Sequence, residues 1–374
     1  MEAIPILHVL DKLTVGESHL HGVTRLLSWW LPAHDPSRFR VAVVSLRARD
    51  AAGAYLESLG IRVHYLERGP FDPRVIPDLA RLARRERARL LHLHGYAASN
   101  FGRLAARWRG LPCIVHEHIV DDRIPAYQRL ADRLLAPLAS HGLAISEPVR
   151  NFMQHARGLP PARLEVLHNG IPLAPFLSPA PPDRSWRAAV EIPEADRLVA
   201  IVGRLNELKG HRYFLEAARA VLEAGGRARF LVVGDGELRA ELEGQAKGLA
   251  IADRVHFVGH REDVPTLLRD SDIAVIASLS EGGPLVLVEA MAAGCATLVT
   301  ETCGLATLVA DGETGFVIPA RDARAIADRL LRLLRDEALL QRMAAAGRAS
   351  VASQDVAASL RRLEEIYLRL LGGS

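Results

Sequence analysis

Residues 278–294 read Ser278-Leu-Ser-Glu281-Gly-Gly-Pro-Leu-Val-Leu-Val-Glu289-Ala-Met-Ala-Ala-Gly294. An apolar run typical of a buried parallel strand precedes this stretch at 273–277, and a second follows it at 296–300. The pattern predicts a loop and a helix between two strands. Pro284 is expected in the first helical turn, and Gly294 is expected to end the helix.

The same pattern places two carboxylates at one edge of the predicted sheet. Glu281 is expected on the loop that leaves the carboxyl end of a strand, where open parallel sheets bind ligands, and Glu289 is expected inside the helix. The neighbouring glycines Gly282 and Gly283 let the backbone approach a ligand, and the helix N-terminus offers N–H groups to an anion. A glutamate in this position can accept hydrogen bonds from hydroxyl groups.

The string from Glu281 to Gly294 closely resembles the signature of the retaining nucleotide-sugar glycosyltransferases of family 4, which have the GT-B fold. The resemblance extends over nearly the whole chain. It implies an α/β protein with two Rossmann-like, doubly wound parallel-sheet domains that face a cleft. It also implies transfer of a hexosyl-type sugar from a nucleoside-diphosphate sugar to an acceptor hydroxyl, with retention at the anomeric carbon.

The length of 374 residues suits two domains, and strand and helix patterns alternate along both halves. A proline-rich stretch at 172–182 marks the expected linker. We therefore predict an acceptor-side domain over 1–175 and a nucleotide-sugar domain over 176–350. An amphipathic segment over 351–374 is expected to recross to the first domain.

Most of the donor-site residues are expected in the second half of the chain. An arginine and a lysine in one strand-to-helix loop can hold a diphosphate, the first as a fork and the second as a point charge. The resemblance supplies the remaining roles. Its donor-side residues are Arg204 and Lys209 for the diphosphate, Glu281 as a catalytic residue beside the sugar, Glu289 for the ribose, and Gly282, Gly283, Leu285 and Arg261 for the nucleotide or sugar.

In the first half, the resemblance implies a catalytic role for His118, which is expected to face the transferred sugar and the acceptor. It also assigns Gly16 to the donor site, although relatives usually have a Gly-Gly pair in this loop. A second departure from the family pattern lies at Cys303 and Thr307, to which we assign no role.

Two His-x-His pairs, His92 with His94 and His116 with His118, each close an apolar strand. Both members of a pair point to one face of a strand, so a four-histidine metal site is geometrically conceivable. The alternative is that these side chains are core or capping histidines. Because the resemblance accounts for both pairs without a metal, no metal or other cofactor is expected.

Charge is distributed unevenly along the chain. Residues 1–178 have 23 Lys and Arg against 16 Asp and Glu, a net charge of +7, and the remainder has a net charge of −4. A basic helix is predicted over 78–90. Its arginines form either a solvated face or a peripheral contact with an anionic membrane. The expected partners are thus the donor, a glycan or lipid-linked acceptor and such a membrane, with no nucleic acid.

No apolar run approaches the roughly 18 residues that span a bilayer, and the start lacks the basic residues of a signal peptide. These features predict a cytoplasmic protein, peripheral on the inner face of the membrane. Analogy with relatives favours surface-polysaccharide or glycolipid assembly. The alternatives are a retaining phosphorylase or sugar-phosphate synthase on this fold, and a catalytically silent sugar-nucleotide-binding scaffold. An NAD-dependent oxidoreductase is disfavoured because the glycine fingerprint after 230–233 is incomplete.

Overall fold

A computed structural model describes residues 2–15, 19–20, 22–121, 124–177 and 185–372. The chain divides into two compact units, the first comprising Met1–Gly170 with Val356–Ser374 and the second Ile171–Asp355. Each unit contains one parallel sheet with helices, so the predicted pair of Rossmann-like α/β domains is confirmed. Among the described residues, no helix is both long and apolar enough to cross a bilayer.

The first unit is built on a seven-stranded parallel sheet in the order β5-β4-β1-β6-β7-β8-β9. The strands are β1 (Ile4–Leu10), the short antiparallel pair β2 (Thr14–Val15) and β3 (His19–Leu20), β4 (Phe39–Ser45), β5 (Val63–Tyr65), β6 (Leu90–His94), β7 (Cys113–Glu117), β8 (His141–Ala144) and β9 (Leu164–Val166). The helices are α1 (Gly22–Trp30), α2 (Ala51–Ser58), α3 (Val75–Arg85), α4 (Tyr96–Arg109), α5 (Ala126–Leu135) and α6 (Glu147–His155).

The second unit is built on a six-stranded parallel sheet in the order β12-β11-β10-β13-β14-β15. The strands are β10 (Arg197–Val202), β11 (Ala228–Val233), β12 (Val255–Gly259), β13 (Ile273–Ile276), β14 (Ala296–Thr300) and β15 (Phe316–Ile318). The helices are α7 (Ser185–Ala189), α8 (His211–Glu223), α9 (Arg239–Gly248), α10 (Val264–Asp270), α11 (Leu285–Ala293), α12 (Ala323–Arg335) and α13 (Glu337–Ser350).

The last helix, α14 (Val356–Leu370), belongs to the first unit. Its apolar face packs with α1 on one side of the first sheet, where Leu363 and Tyr367 are fully buried. The other side of this sheet is covered by α3 and α4. Strands buried on both faces have near-continuous apolar sequences, which explains why they were visible in the sequence.

Two local predictions were wrong. The basic helix expected over 78–90 is α3, which ends at Arg85. Arg87 adopts a positive φ of 53°, and the backbone N–H of Arg89 already donates to the carbonyl of Pro5 in β1. Pro284 lies at the N-cap of α11, one residue before the first turn, with extended backbone angles. Gly294 does end this helix, with a φ of 89° in the left-handed region.

Candidate active site

The loop after β10 holds the predicted diphosphate residues. Asn206 caps a short 3-10 turn, Glu207–Lys209, by accepting a hydrogen bond from the backbone N–H of Lys209 at 3.2 Å. Gly210 then enters α8 with a φ of 68°. A Cβ atom on Gly210 would lie 2.0 Å from the carbonyl oxygen of Ala277, so only glycine allows this loop to lie against the end of β13.

The loop after β13 holds Glu281, as predicted. The hydroxyl of Ser278 donates to one carboxylate oxygen of Glu281 at 2.8 Å, and the backbone N–H of Gly304 donates to the Glu281 carbonyl at 2.8 Å. The side chain is thus oriented from its own loop, and the backbone is attached to the segment after β14. A side chain held in this way keeps one geometry for a ligand.

An ion pair joins the two loops. Nζ of Lys209 lies 2.5 Å from the other carboxylate oxygen of Glu281, and about a fifth to a quarter of each side chain is exposed (24% and 21%). The strands that these loops follow, β10 and β13, are neighbours in the sheet, and the pair lies at their carboxyl ends. The structure therefore brings an ammonium group and a carboxylate into direct contact. An ammonium group can bind phosphate, and a carboxylate can accept hydrogen bonds from hydroxyls.

Arg204 lies on the same loop but is more exposed. Its guanidinium is 3.1 Å from the carboxylate of Glu237, and both side chains are about half exposed. A surface ion pair of this kind contributes little free energy, so an anionic ligand can replace Glu237 at low cost. Arg204 and Lys209 thus offer two cations from one loop, as the sequence predicted.

Glu289 differs from Glu281 in access. It lies within α11, as predicted, but only 2% of it is exposed. Leu285 is the first residue of α11, and Gly282 and Gly283 lie on the loop before it. The predicted ribose contact would therefore have to reach a buried carboxylate.

The predicted donor residue Arg261 is not joined to the Lys209–Glu281 pair by any contact among the described residues. Arg261 forms an ion pair with Asp263 at 2.8 Å, and its guanidinium lies 4.8 Å from the ring centre of Trp186. Gly16 lies outside the described residues.

Sequence reasoning missed the residues that hold the Glu281 loop in place. Thr300 and Thr302 both donate their hydroxyls to the carbonyl of Ser278, at 2.5 and 2.8 Å. Cys303, which was given no role, is buried and pairs with Glu281 through the backbone. The feature of the sequence that could have indicated these contacts is the pair of threonines, Thr300 and Thr302, at the end of an apolar run.

His211, at the start of α8, was also missed. It is 2% exposed, and neither ring nitrogen has a hydrogen-bond partner among the described residues. Burial, with a smaller effect from the nearby Lys209 ammonium, lowers the pKa of His211 to about 4. The imidazole is therefore neutral at physiological pH.

In the first unit, His118 follows β7 and is partly buried, whereas His94 and His116 are fully buried. His118 Nε2 lies 2.9 Å from His94 Nδ1. The buried histidines of the pairs are thus core residues, and His118 is the more accessible one. His8 on β1 belongs to the same cluster and was not predicted.

Two groups of ring nitrogens in this cluster lie within 4.8 Å of one another, those of His8, His92 and His94 and those of His94, His116 and His118. A metal needs lone pairs that converge on one point about 2.1 Å from each nitrogen. In each group, however, two rings are stacked face to face, His92 on His94 with centres 4.4 Å apart and His116 on His118 with centres 4.3 Å apart. The lone pairs of stacked rings run side by side, so the cluster fits hydrogen bonding better than metal ligation.

The buried histidines predict a pH-dependent stability. Burial, with a smaller effect from His34, lowers the pKa of His8 to about 3, from about 6.5 in the unfolded chain. Between these values the unfolded chain binds a proton that the folded protein does not, so the free energy of unfolding falls as pH falls from 6.5 towards 3. Each such histidine contributes about 1.4 kcal/mol per pH unit in this window, and its full contribution is present above pH 6.5.

Urea unfolding of the His8→Asn variant, followed by circular dichroism at pH 7, 6 and 5, measures this dependence. We expect the free energy of unfolding of the variant to depend less steeply on pH than that of the wild type, by the equivalent of about one bound proton. His155→Asn, which removes an exposed histidine at the end of α6, should leave the slope unchanged. Equal slopes for wild type and His8→Asn would show that His8 takes up its proton over the same pH range in the folded protein as in the unfolded chain.

Comparison with known proteins gives consistent results. Residues 182–350 match the model for "Glycosyl transferases group 1", and residues 23–174 match that for "Glycosyltransferase Family 4". The putative glycosyltransferase EpsF of Bacillus subtilis is 31% identical over 79% of this chain and 79% of its own length. The Escherichia coli UDP-Gal:alpha-D-GlcNAc-diphosphoundecaprenol alpha-1,3-galactosyltransferase is 26% identical over 72% of each chain.

Among solved structures, Anabaena Alr3699/HepE in complex with UDP superimposes with a TM-score of 0.84 over 98% of this chain and 100% of that chain. Its 22% identity supports the fold alone. The fold, the two family matches and the identity with EpsF agree with one another. The chain therefore belongs to the group 1, family 4 glycosyltransferases.

Proposed function

We propose that this glycosyltransferase uses a nucleoside-diphosphate sugar as donor and transfers a hexosyl residue to an acceptor hydroxyl with retention at the anomeric carbon. The observation that carries the proposal is the contact of Lys209 with Glu281, which joins a phosphate-binding cation to a hydroxyl-binding carboxylate at the carboxyl ends of β10 and β13. Alr3699/HepE, which shares the fold, has been crystallised with UDP and with UDP-glucose.

The Lys209–Glu281 pair suggests how the donor is received. A diphosphate that binds Lys209 and Arg204 replaces their present partners, Glu281 and Glu237. The carboxylate of Glu281 is then released to accept hydrogen bonds from the sugar. The backbone of Gly282, Gly283 and Leu285 lies beside it at the start of α11, and N–H groups there add partial positive charge.

In the proposed reaction, a bond forms between the acceptor oxygen and the anomeric carbon, and the bond from that carbon to the diphosphate oxygen breaks. The acceptor proton passes to the leaving diphosphate on the same face. Arg204 and Lys209 stabilise the charge that develops on the diphosphate, so neither a metal nor another cofactor is needed. His118 orients the sugar or the acceptor, and Glu289 binds the ribose.

Two relatives support a proposal for the acceptor class. The Escherichia coli enzyme acts on a diphosphoundecaprenol-linked sugar, and the Erwinia amylovora relative AmsK, 30% identical over 69% of this chain, acts in amylovoran biosynthesis. We therefore propose a lipid-linked or glycan acceptor in surface-polysaccharide or glycolipid assembly.

Donor binding can be tested by a thermal-shift screen with UDP-, GDP- and ADP-sugars in the presence of EDTA. One donor class is expected to raise the melting temperature by several degrees at saturating concentration. The shift should be lost in Arg204→Ala and kept in Arg342→Ala, which removes an exposed arginine of α13 in the same unit. A shift that EDTA abolishes would contradict the metal-free site.

A peripheral membrane contact is the second part of the proposal. Tyr127, Leu130 and Leu134 lie on one face of α5 and are 60–69% exposed. This apolar face lies in the unit that also contains the basic helix α3, with Arg84 and Arg85 in its last turn. An exposed apolar face together with basic residues is typical of helices that lie at the surface of anionic bilayers. We propose that the apolar face of α5 docks on the cytoplasmic face of the cell membrane.

Sedimentation with phosphatidylglycerol vesicles tests the membrane contact. The wild type is expected to bind these vesicles and not phosphatidylcholine vesicles. The double variant Leu130→Ser, Leu134→Ser should lose at least about tenfold in apparent affinity, because each serine removes exposed apolar area that the bilayer would bury on binding. Leu59→Ser replaces an exposed leucine elsewhere in the unit and should have no effect. Equal binding by the double variant would exclude α5 as the contact.

A further inference from the structure

Six side chains of the first unit form one continuous hydrogen-bonded series, which we call the histidine–tyrosine chain. In order, its members are His118, His94, His8, Tyr367, His92 and His116. The successive distances between their ring nitrogens or the phenolic oxygen are 2.9, 3.1, 3.2, 2.7 and 3.1 Å. All members except His118 are fully buried.

The topology of the sheet explains this arrangement. Strands β1, β6 and β7 are neighbours, with His8 opposite His92 and His94 opposite His116. Their side chains therefore project from one face, which α14 covers, and the hydroxyl of Tyr367 on α14 reaches between His8 and His92.

The ring geometry shows which contacts are hydrogen bonds. The rings of His8 and His94 are 5.3 Å apart at an angle of 12°, and those of His92 and His116 are 5.2 Å apart at 16°. In both pairs the bonded nitrogens are 3.1 Å apart. The distance between the ring centres is therefore nearly the sum of this nitrogen–nitrogen distance and two ring radii. That is possible only if the two rings meet edge to edge in a common plane. The in-plane N–H and lone pair of each bonded pair therefore point at one another.

The bonds couple the tautomers of the five histidines. Each imidazole in the interior of the chain uses Nδ1 towards one neighbour and Nε2 towards the other, and a neutral ring has one donor and one acceptor. Burial lowers the pKa values of His92, His94 and His116 well below 6.5, which keeps these rings neutral. The chain consequently has two states. Either all five histidines carry the proton on Nδ1, or all five carry it on Nε2.

The buried end of the chain distinguishes the two states. Nε2 of His116 is buried and has no hydrogen-bond partner among the described residues. In the first state, Nε2 of His116 is unprotonated and its lone pair accepts no hydrogen bond. In the second state, Nε2 carries a proton and its N–H group finds no acceptor. Orphaned buried N–H groups are rarer in proteins than under-satisfied acceptors. The first state is therefore favoured, and donation runs from His116 outwards to His118.

We propose that the histidine–tyrosine chain holds His118 as the neutral Nδ1–H tautomer, which presents a hydrogen-bond donor from Nδ1 to an oxygen of the sugar or acceptor. The assignment of that ligand rests on the proposed function. Because Nε2 accepts the hydrogen bond from His94, neither ring nitrogen of His118 acts as a base. His94, His8, Tyr367, His92 and His116 are positioning residues that act through His118.

Long-range ¹H–¹⁵N correlation spectra of the full chain, labelled with ¹⁵N-histidine, test the tautomers at pH 7.5. Single histidine variants assign the signals. We expect the Nδ1–H pattern for all five residues of the chain. The spectra are recorded without donor or acceptor, so their outcome is independent of whether the protein transfers a sugar. An Nε2–H pattern or an imidazolium pattern for His118 would overturn the proposal.

Two variants of His94 separate the donor from simple packing. His94→Asn keeps an amide donor near the position of Nδ1, whereas His94→Leu removes it, and both leave His8 without its acceptor. The Asn variant should retain the Nδ1–H pattern of His118 and stay within about threefold of the wild-type kcat. The Leu variant should shift His118 towards the Nε2–H tautomer, and its kcat should be lower than that of the wild type by a factor of at least about ten. The same His118 tautomer in both variants would overturn the proposal.

Metal analysis of the purified protein completes the test. The chain requires that the ring nitrogens bond to one another, so less than a tenth of a molar equivalent of zinc or nickel is expected after dialysis. A stoichiometric metal whose removal by EDTA changes the histidine spectra would overturn the proposal in favour of a metal centre.

Discussion

Glu281→Gln is expected to lower kcat for sugar transfer by about a hundredfold to a thousandfold, the range found when one preorganised polar group is lost from an active site. The amide preserves the shape of the side chain but cannot carry the charge that pairs with Lys209. Lys209 should then bind the diphosphate at least as well as before, because Glu281 no longer competes for it. We therefore expect a large fall in kcat with unchanged or tighter binding of the donor.

Steady-state kinetics and donor titration by calorimetry separate these two effects. Glu216→Gln, which removes an exposed carboxylate of α8 in the same unit, serves as the matched control and should behave like the wild type. If Glu281→Gln bound the donor much more weakly with kcat unchanged, the carboxylate would be a binding residue only. Full activity would remove it from the proposed reaction.

Gly210→Ala is expected to destabilise the protein by about 3 kcal/mol or more and to abolish transfer. The new methyl group would lie 2.0 Å from the carbonyl oxygen of Ala277, which real Cβ atoms do not tolerate. The loop that carries Lys209 would have to move away from β13, and the ion pair with Glu281 would be lost. Urea denaturation and a transfer assay measure the two effects.

Gly225→Ala provides a control for backbone strain. Gly225 has a φ of 76°, close to the 68° of Gly210, but a Cβ atom there would meet nothing within 4 Å. Gly225→Ala should lose only the stability that a left-handed alanine costs, about 1–2 kcal/mol, and its kcat should be normal. Equal losses in the two variants would mean that conformational strain, and not the contact with β13, accounts for the effect at Gly210.

The sequence predicted the sheets well because their strands are buried on both faces. Uninterrupted apolar runs such as 273–277 identified these strands, and the glycines and charged residues that follow them identified the ligand-binding loops. The same local logic failed at Arg87 and Arg89. Composition alone extended the helix past Arg85, whereas hydrogen bonding to β1 ended it.

Within the site, the chemistry of each residue was readable from its local string, but its partners were not. Arg204, Lys209 and Glu281 were identified individually, while the contact of Lys209 with Glu281 spans 72 residues and depends on the adjacency of β10 and β13. The buried position of Glu289 likewise depends on how α11 packs, which no short sequence pattern specifies.

The histidine–tyrosine chain shows most clearly which features can be read from the sequence and which depend on the tertiary structure. Strand periodicity was enough to place His92 with His94 on one face, because successive side chains alternate across a strand. The link to His8 depends on which strands are neighbours, and the link from His92 to Tyr367 joins residues 275 positions apart. Local patterns thus determined the elements and the chemical character of their ends, whereas non-local packing of strands and of α14 decided which side chains meet.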